Sequence, residues 1–201
     1  MTDYFTVFGL PRKLAVDADA LQRRFYELSR QHHPDFHQGT DAARQAEALA
    51  RSALVNRAYR ALRDPLPRVE YLIALEEGRE VREGATEKPK APRELLEEML
   101  EVQEALEEAK AAGMTGEAAA RVREERARLE ARHAAEAEAI AARAAEWDRV
   151  VDAGGDRRPL LTWFKQRLAT RAYLRTVIDD LSEALGERED GQEGHVSHRR
   201  H

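Results

Sequence analysis

Apolar positions recur along this chain at helical spacing almost throughout, and the interruptions divide it into a series of helices. After a short apolar opening, Gly9 and Pro11 in "FGLP" break the chain into a turn. Asp17 then stands as an N-cap before a stripe of Leu21, Phe25, Leu28 and His32, which predicts a helix over about 18–32. Pro34 must end it, because the residue before a proline is pushed out of helical geometry. Gly39 and Thr40 reset the chain. A second helix is expected over about 41–63, with Leu49, Ala53, Tyr59 and Leu62 on its buried face. "RDPLPR" closes that helix, and "RVEYLIAL" (68–75) reads as a short helix beside the hairpin. Its Val69, Leu72 and Ile73 form an apolar side fit to pack on the second half of the chain.

Residues 76–92, "EEGREVREGATEKPKAP", mix glycine, proline and dense charge with no apolar period, as a linker does. Three longer helices are expected beyond it. The first covers about 93–112 and stops at Gly113. The second covers about 117–152 and stops at Gly154–Gly155. The third opens near Pro159 and runs to about 185. Each carries a packing seam: Leu95, Met99, Val102, Leu106 and Ala109 on the first, then Leu129, His133, Ile140, Trp147 and Val151 on the second. The third contributes Leu161, Phe164, Leu168, Leu174, Ile178, Leu181 and Leu185. Short connections between amphipathic helices predict an antiparallel three-helix bundle. The expected architecture is all-α, with an N-terminal module at 1–75, a linker at 76–92, the bundle at 93–186 and a disordered polar tail at 187–201.

Composition narrows the chemistry. Charged residues make up 35% of the 201 and aromatics only 6%, so the core has to be economical and the surface heavily solvated. The absence of cysteine removes disulfides, thiolate metal sites and cysteine nucleophiles together. A formal net charge of −5 argues against nucleic acid as a partner of the whole chain. No apolar run approaches the roughly 20 residues that span a bilayer, and "MTDYFTVFGL" lacks the features of a signal peptide. A soluble, cytoplasmic protein without a membrane partner is expected.

Chemistry-bearing residues crowd into "QHHPDFHQGTD" (31–41). His33 and His37 form an i,i+4 pair, but Pro34 keeps a continuous helix from placing them on one face, and tetrahedral zinc needs three or four converging ligands. A His–Asp pair needs a nucleophile or a pocket, and the chain has no phosphate-binding glycine loop or serine elbow. A plain helix stop with turn residues explains the proline and glycine, but not the particular His-Pro-Asp. On the first helix beyond the linker, Leu96 and Leu100 are surplus to the seam, lying about 100° round from it. Glu97, Glu101, Glu104 and Glu108 surround or extend them. The strip reads either as the edge of a wide core or as a partner-docking face.

The His33-Pro34-Asp35 tripeptide closes the helix "LQRRFYELSRQH" and is followed by one ending "NRAYRALRDP"; together they resemble a J-domain. With the opening "DYFTVFGLP" and the later "RVEYLIAL", the chain resembles the HscB-type co-chaperones of iron–sulfur cluster assembly. The resemblance implies that His33, Pro34 and Asp35 contact a DnaK/HscA-type chaperone and stimulate its ATPase. Gln22, Arg23, Tyr26 and Arg30 would supply the adjoining face, although this helix has few lysines and carries Glu27. It also implies that an IscU-like iron–sulfur scaffold protein docks on Leu96, Glu97, Leu100, Glu101, Glu104 and Glu108, with Tyr173 adding an aromatic. Glu97 stands where the family often has methionine or phenylalanine. No enzymatic activity, cofactor or metal site of its own is implied, and weak self-association stays open. Trp147, Trp163 and His133 read as packing residues, and the tail histidines offer no preorganised metal geometry. A J-domain adaptor for a different client and a non-catalytic coiled-coil structural protein are the competing readings.

Overall fold

The computed structural model describes residues 2–33, 39, 41–78 and 92–187, and among them every regular element is helical. In order these are α1 (Tyr4–Phe8), α2 (Ala18–Gln31), α3 (Ala42–Arg63), α4 (Pro65–Glu76), α5 (Leu96–Ala111), α6 (Gly116–Ala142), α7 (Ala144–Asp152) and α8 (Arg158–Ala184). A 3-10 turn at Arg93–Leu95 leads into α5. Among the described residues no helix is long and apolar enough to cross a membrane. Most of the linker and most of the tail lie outside the described residues, as do Pro34, Asp35 and His37.

The starts and stops follow local chemistry. The Asp17 and Asp41 carboxylates accept from the N–H groups of Ala20 and Arg44, capping α2 and α3. α4 begins three residues earlier than its apolar pattern suggests, because Pro65 and Pro67 fall in a first turn that needs no amide donors. The helix expected over 117–152 is divided at Arg143. The Arg143 N–H is shared between the carbonyls of Ala139 and Ile140, both at 3.3 Å, which tightens the turn locally. Its guanidinium lies 4.5 Å from the centre of the Trp163 ring. Leu49 does not face the core: it is exposed, and Ala48, Val55, Ala58 and Leu62 form the buried stripe of α3 instead.

The chain folds as two compact units that cross the serial division read from the sequence. One combines the described residues of Met1–Glu87 with Ala135–Leu168; the other combines those of Lys88–Ala134 with Ala169–His201. In the first, the α1–α4 residues Phe5, Leu21, Leu28, Leu62 and Leu72 share a core with Ile140, Trp147, Leu160 and Phe164. The buried Val69, Leu72 and Ile73 of α4 belong to that core. In the second, Leu95, Met99 and Val102 of the α5 region pack with Val122 and Leu129 of α6 and with Leu174, Ile178 and Leu181 of α8.

Two buried charges fasten the connection between α1 and α2. Asp148 of α7 accepts from the N–H groups of Leu14 and Ala15 at 2.7 and 2.8 Å. Arg68 of α4 donates to the carbonyls of Leu14, Leu62 and Arg63. The last two carbonyls are among those that the end of α3 leaves without helical partners. Burial lowers the Arg68 pKa from its usual value.

Candidate partner-binding surfaces

The first surface is the outer side of α2. Its inner side is fixed by the buried Leu21 and Leu28 and by Phe25, whose ring stacks on Tyr59 of α3 at 4.1 Å between centroids. That anchoring turns Gln22, Arg23, Tyr26 and Arg30 outward, all exposed, with Tyr26 showing 60% of its surface. The Gln22 amide donates to the Tyr26 hydroxyl at 3.4 Å. Glu27, which would weaken a basic face, is bonded to Arg24 at 2.9 Å. Among the described residues no ion pair engages Arg23 or Arg30. α2 ends one residue before His32, whose N–H donates to the Leu28 carbonyl at 3.0 Å, and His33 is exposed beyond it.

The second surface lies on α5. Leu96 and Leu100 are 52% and 61% exposed, while Met99 and Val102 on the same helix are buried, so the surplus leucines are no part of the core. They form one wall of a groove of about 590 Å³ whose floor and far wall come from α5 and α8. Tyr173 lines it together with Gln103, Leu106, Val177 and Asp180, none of which the sequence pattern assigns to this face. Leu106, expected in the seam, is half-buried and faces the groove. A shallower concavity continues along α5 past Leu100, bordered by Glu104 and Lys110.

The four candidate carboxylates are not equivalent. Glu101 bonds Arg128 of α6 at 3.0 Å, and Glu108 bonds Arg121 of α6 at 2.7 Å. Glu97 and Glu104 are exposed and have no ion pair among the described residues. Glu98, on the side of α5 toward α6, is held by Arg132. Bonding to Glu101, ahead of an opposing desolvation effect, raises the Arg128 pKa.

Among the described residues no group of three or more histidines, aspartates or glutamates is arranged to hold a metal ion. His133 is instead a packing residue whose backbone carbonyl accepts from the Arg171 guanidinium at 2.7 Å. Its ring nitrogen Nδ1 lies 3.2 Å from the same group. Trp147 is fully buried against Phe164, and Trp163 is half-buried between Arg143 and Arg167.

Comparison with known proteins bears on both halves. The DnaJ domain family matches residues 3–71. Chaperone HscB from Vibrio cholerae superposes with a TM-score of 0.60 at 22% identity, covering 92% of this chain and 99% of that one. At that identity the likeness is one of fold. The crystal structure of human co-chaperone protein HscB also gives a TM-score of 0.60, at 26% identity, over 91% of this chain and 82% of that one. A J-domain is the module that engages an Hsp70-type chaperone. With a DnaJ domain over residues 3–71 and the fold of the HscB structures over nearly all of its length, the chain resembles the HscB-type J-domain co-chaperones.

Proposed function

We propose that the chain is an adaptor without enzymatic activity that holds an IscU-like iron–sulfur scaffold protein and presents it to a DnaK/HscA-type chaperone. The chaperone's ATPase is stimulated by His33, Pro34 and Asp35 together with Gln22, Arg23, Tyr26 and Arg30. ATP hydrolysis tightens the chaperone's hold on the scaffold and promotes transfer of the cluster to acceptor proteins. The observation that carries this reading is the exposure of Leu96 and Leu100 beside Tyr173 in a groove, on a chain that also bears a DnaJ domain. Two weak contacts on one chain act together because binding the first raises the effective concentration of the second.

Two variants separate the roles. His33→Gln abolishes stimulation of the chaperone ATPase while scaffold capture persists; equal stimulation by the variant would sink the J-domain assignment. Leu96→Ala with Leu100→Ala weakens scaffold capture by about 2–4 kcal/mol in total, the range for central anchors of an interface. Isothermal titration with the scaffold protein measures it, and unchanged affinity moves the docking face elsewhere. Stimulation without scaffold binding by the unaltered chain favours a different client.

A further inference from the structure

The carboxylate stripe beside the groove is half neutralised from within, and this bears on what the groove can recognise. Helical spacing places Glu97 and Glu104 about 10 Å apart along α5, either side of Leu100. Glu101 and Glu108 lie farther round the helix from Leu100, toward α6, where Arg128 and Arg121 meet them at 3.0 and 2.7 Å. Arg128 is itself fixed by a second contact, to Glu125 at 2.9 Å. On the α8 side, Asp180 lines the groove, and among the described residues it has no ion pair. The charge open to a partner is therefore Glu97 and Glu104 on one flank and Asp180 on the other.

We infer that Arg121 and Arg128 set the specificity of this surface by occupying Glu101 and Glu108, so that its ligand is a protein segment with an apolar anchor for Leu96 and Leu100 flanked by basic side chains meeting Glu97 and Glu104. The inference rests on the docking reading above and commits to a basic, anchor-bearing segment of the scaffold protein as the occupant. Charge complementarity around the exposed apolar wall of Leu96 and Leu100 favours that occupant. A basic side chain approaching Glu101 or Glu108 has to displace an intramolecular partner, whereas one approaching Glu97 or Glu104 does not.

The test uses the full chain and the IscU-like scaffold protein, with affinities measured across a series of salt concentrations. Glu97→Gln with Glu104→Gln weakens binding by about fivefold at low salt and flattens its salt dependence, as expected for two exposed pairs. Arg121→Gln with Arg128→Gln releases two carboxylates to the partner and tightens binding by about threefold at low salt, a gain that disappears when Glu101→Gln and Glu108→Gln are added. The Glu97 and Glu104 positions are exposed, so their variants remain informative if the arginine variants fold poorly. Weaker or unchanged binding by folded Arg121→Gln/Arg128→Gln overturns the inference, as does a salt dependence untouched by Glu97→Gln/Glu104→Gln. The alanine variants at Leu96 and Leu100 keep the two failures apart. If those lose affinity while the charge variants behave otherwise than stated, the groove stands and the charge assignment falls; if they lose none, the docking reading itself falls.

Discussion

Leu14 has both of its backbone polar groups bonded to charged side chains that are themselves buried, Asp148 and Arg68. Neither charge is answered mainly by the other; each is satisfied by peptide groups, the usual condition for tolerating buried charge. Asp148→Asn leaves one acceptor for two donors and turns an amide NH2 toward the second. A loss of about 1.5–3 kcal/mol is expected in urea unfolding of the full chain. His133 gives a pH signature of the opposite kind from a salt-bridged histidine. Burial first, then the charges of Arg171 and Arg175, hold its pKa below the ordinary 6.5. The unfolded chain then takes the proton first, so this contribution to stability is present above about pH 6.5 and is lost as pH falls toward the lowered folded value. The melting temperature should drop between pH 7 and 5 less steeply in His133→Gln than in the unaltered protein, and parallel curves would remove His133 from the account. Neither Asp148 nor Arg68 was legible in the sequence. A lone charge beside a seam residue looks the same as a solvated one until its distant partner is known.

At the scale of elements, what could be read was whatever local chemistry dictates. Asp17 caps, Gly113 stops and Pro159 opens, and each does so within a residue or two of the observed boundary. α3 shows where the reading fails. Its first half is so rich in alanine that the small residues supply no phase: the apolar pattern puts Leu49 in the core, whereas Ala48 occupies it. Leu49→Gln should accordingly change stability by no more than about 0.5 kcal/mol, against about 2–4 kcal/mol for Leu62→Ala on the same helix. Denaturant unfolding of the two variants checks the register directly. The break at Arg143 has no glycine or proline to announce it; it arises from a shared hydrogen bond and from the arginine's seat over Trp163. The groove proposed for docking divides in the same way. The surplus leucines of α5 were visible from periodicity, but the contribution of Val177 and Asp180 depends on α8 lying beside α5, a relation between distant segments that no local pattern encodes.

At the scale of the whole molecule, the serial order of the chain and the order of its packing differ. The DnaJ match ends at residue 71, yet the core containing α4 is completed by Ile140, Trp147, Leu160 and Phe164. A fragment of residues 1–87 should therefore melt below the first transition of the full chain and bind a hydrophobic dye that the full chain excludes, since Leu72 and its neighbours lose their cover. Equal melting and no dye binding would show the 135–168 segment to be dispensable to that core. The match over residues 3–71 invites treating the module as a cassette that could be exchanged between proteins. Here a foreign cassette joined after residue 78 would have to present Trp147 and Phe164 with a matching apolar helix and Asp148 with two peptide N–H groups. Portability in this protein is limited by the apolar back of the module.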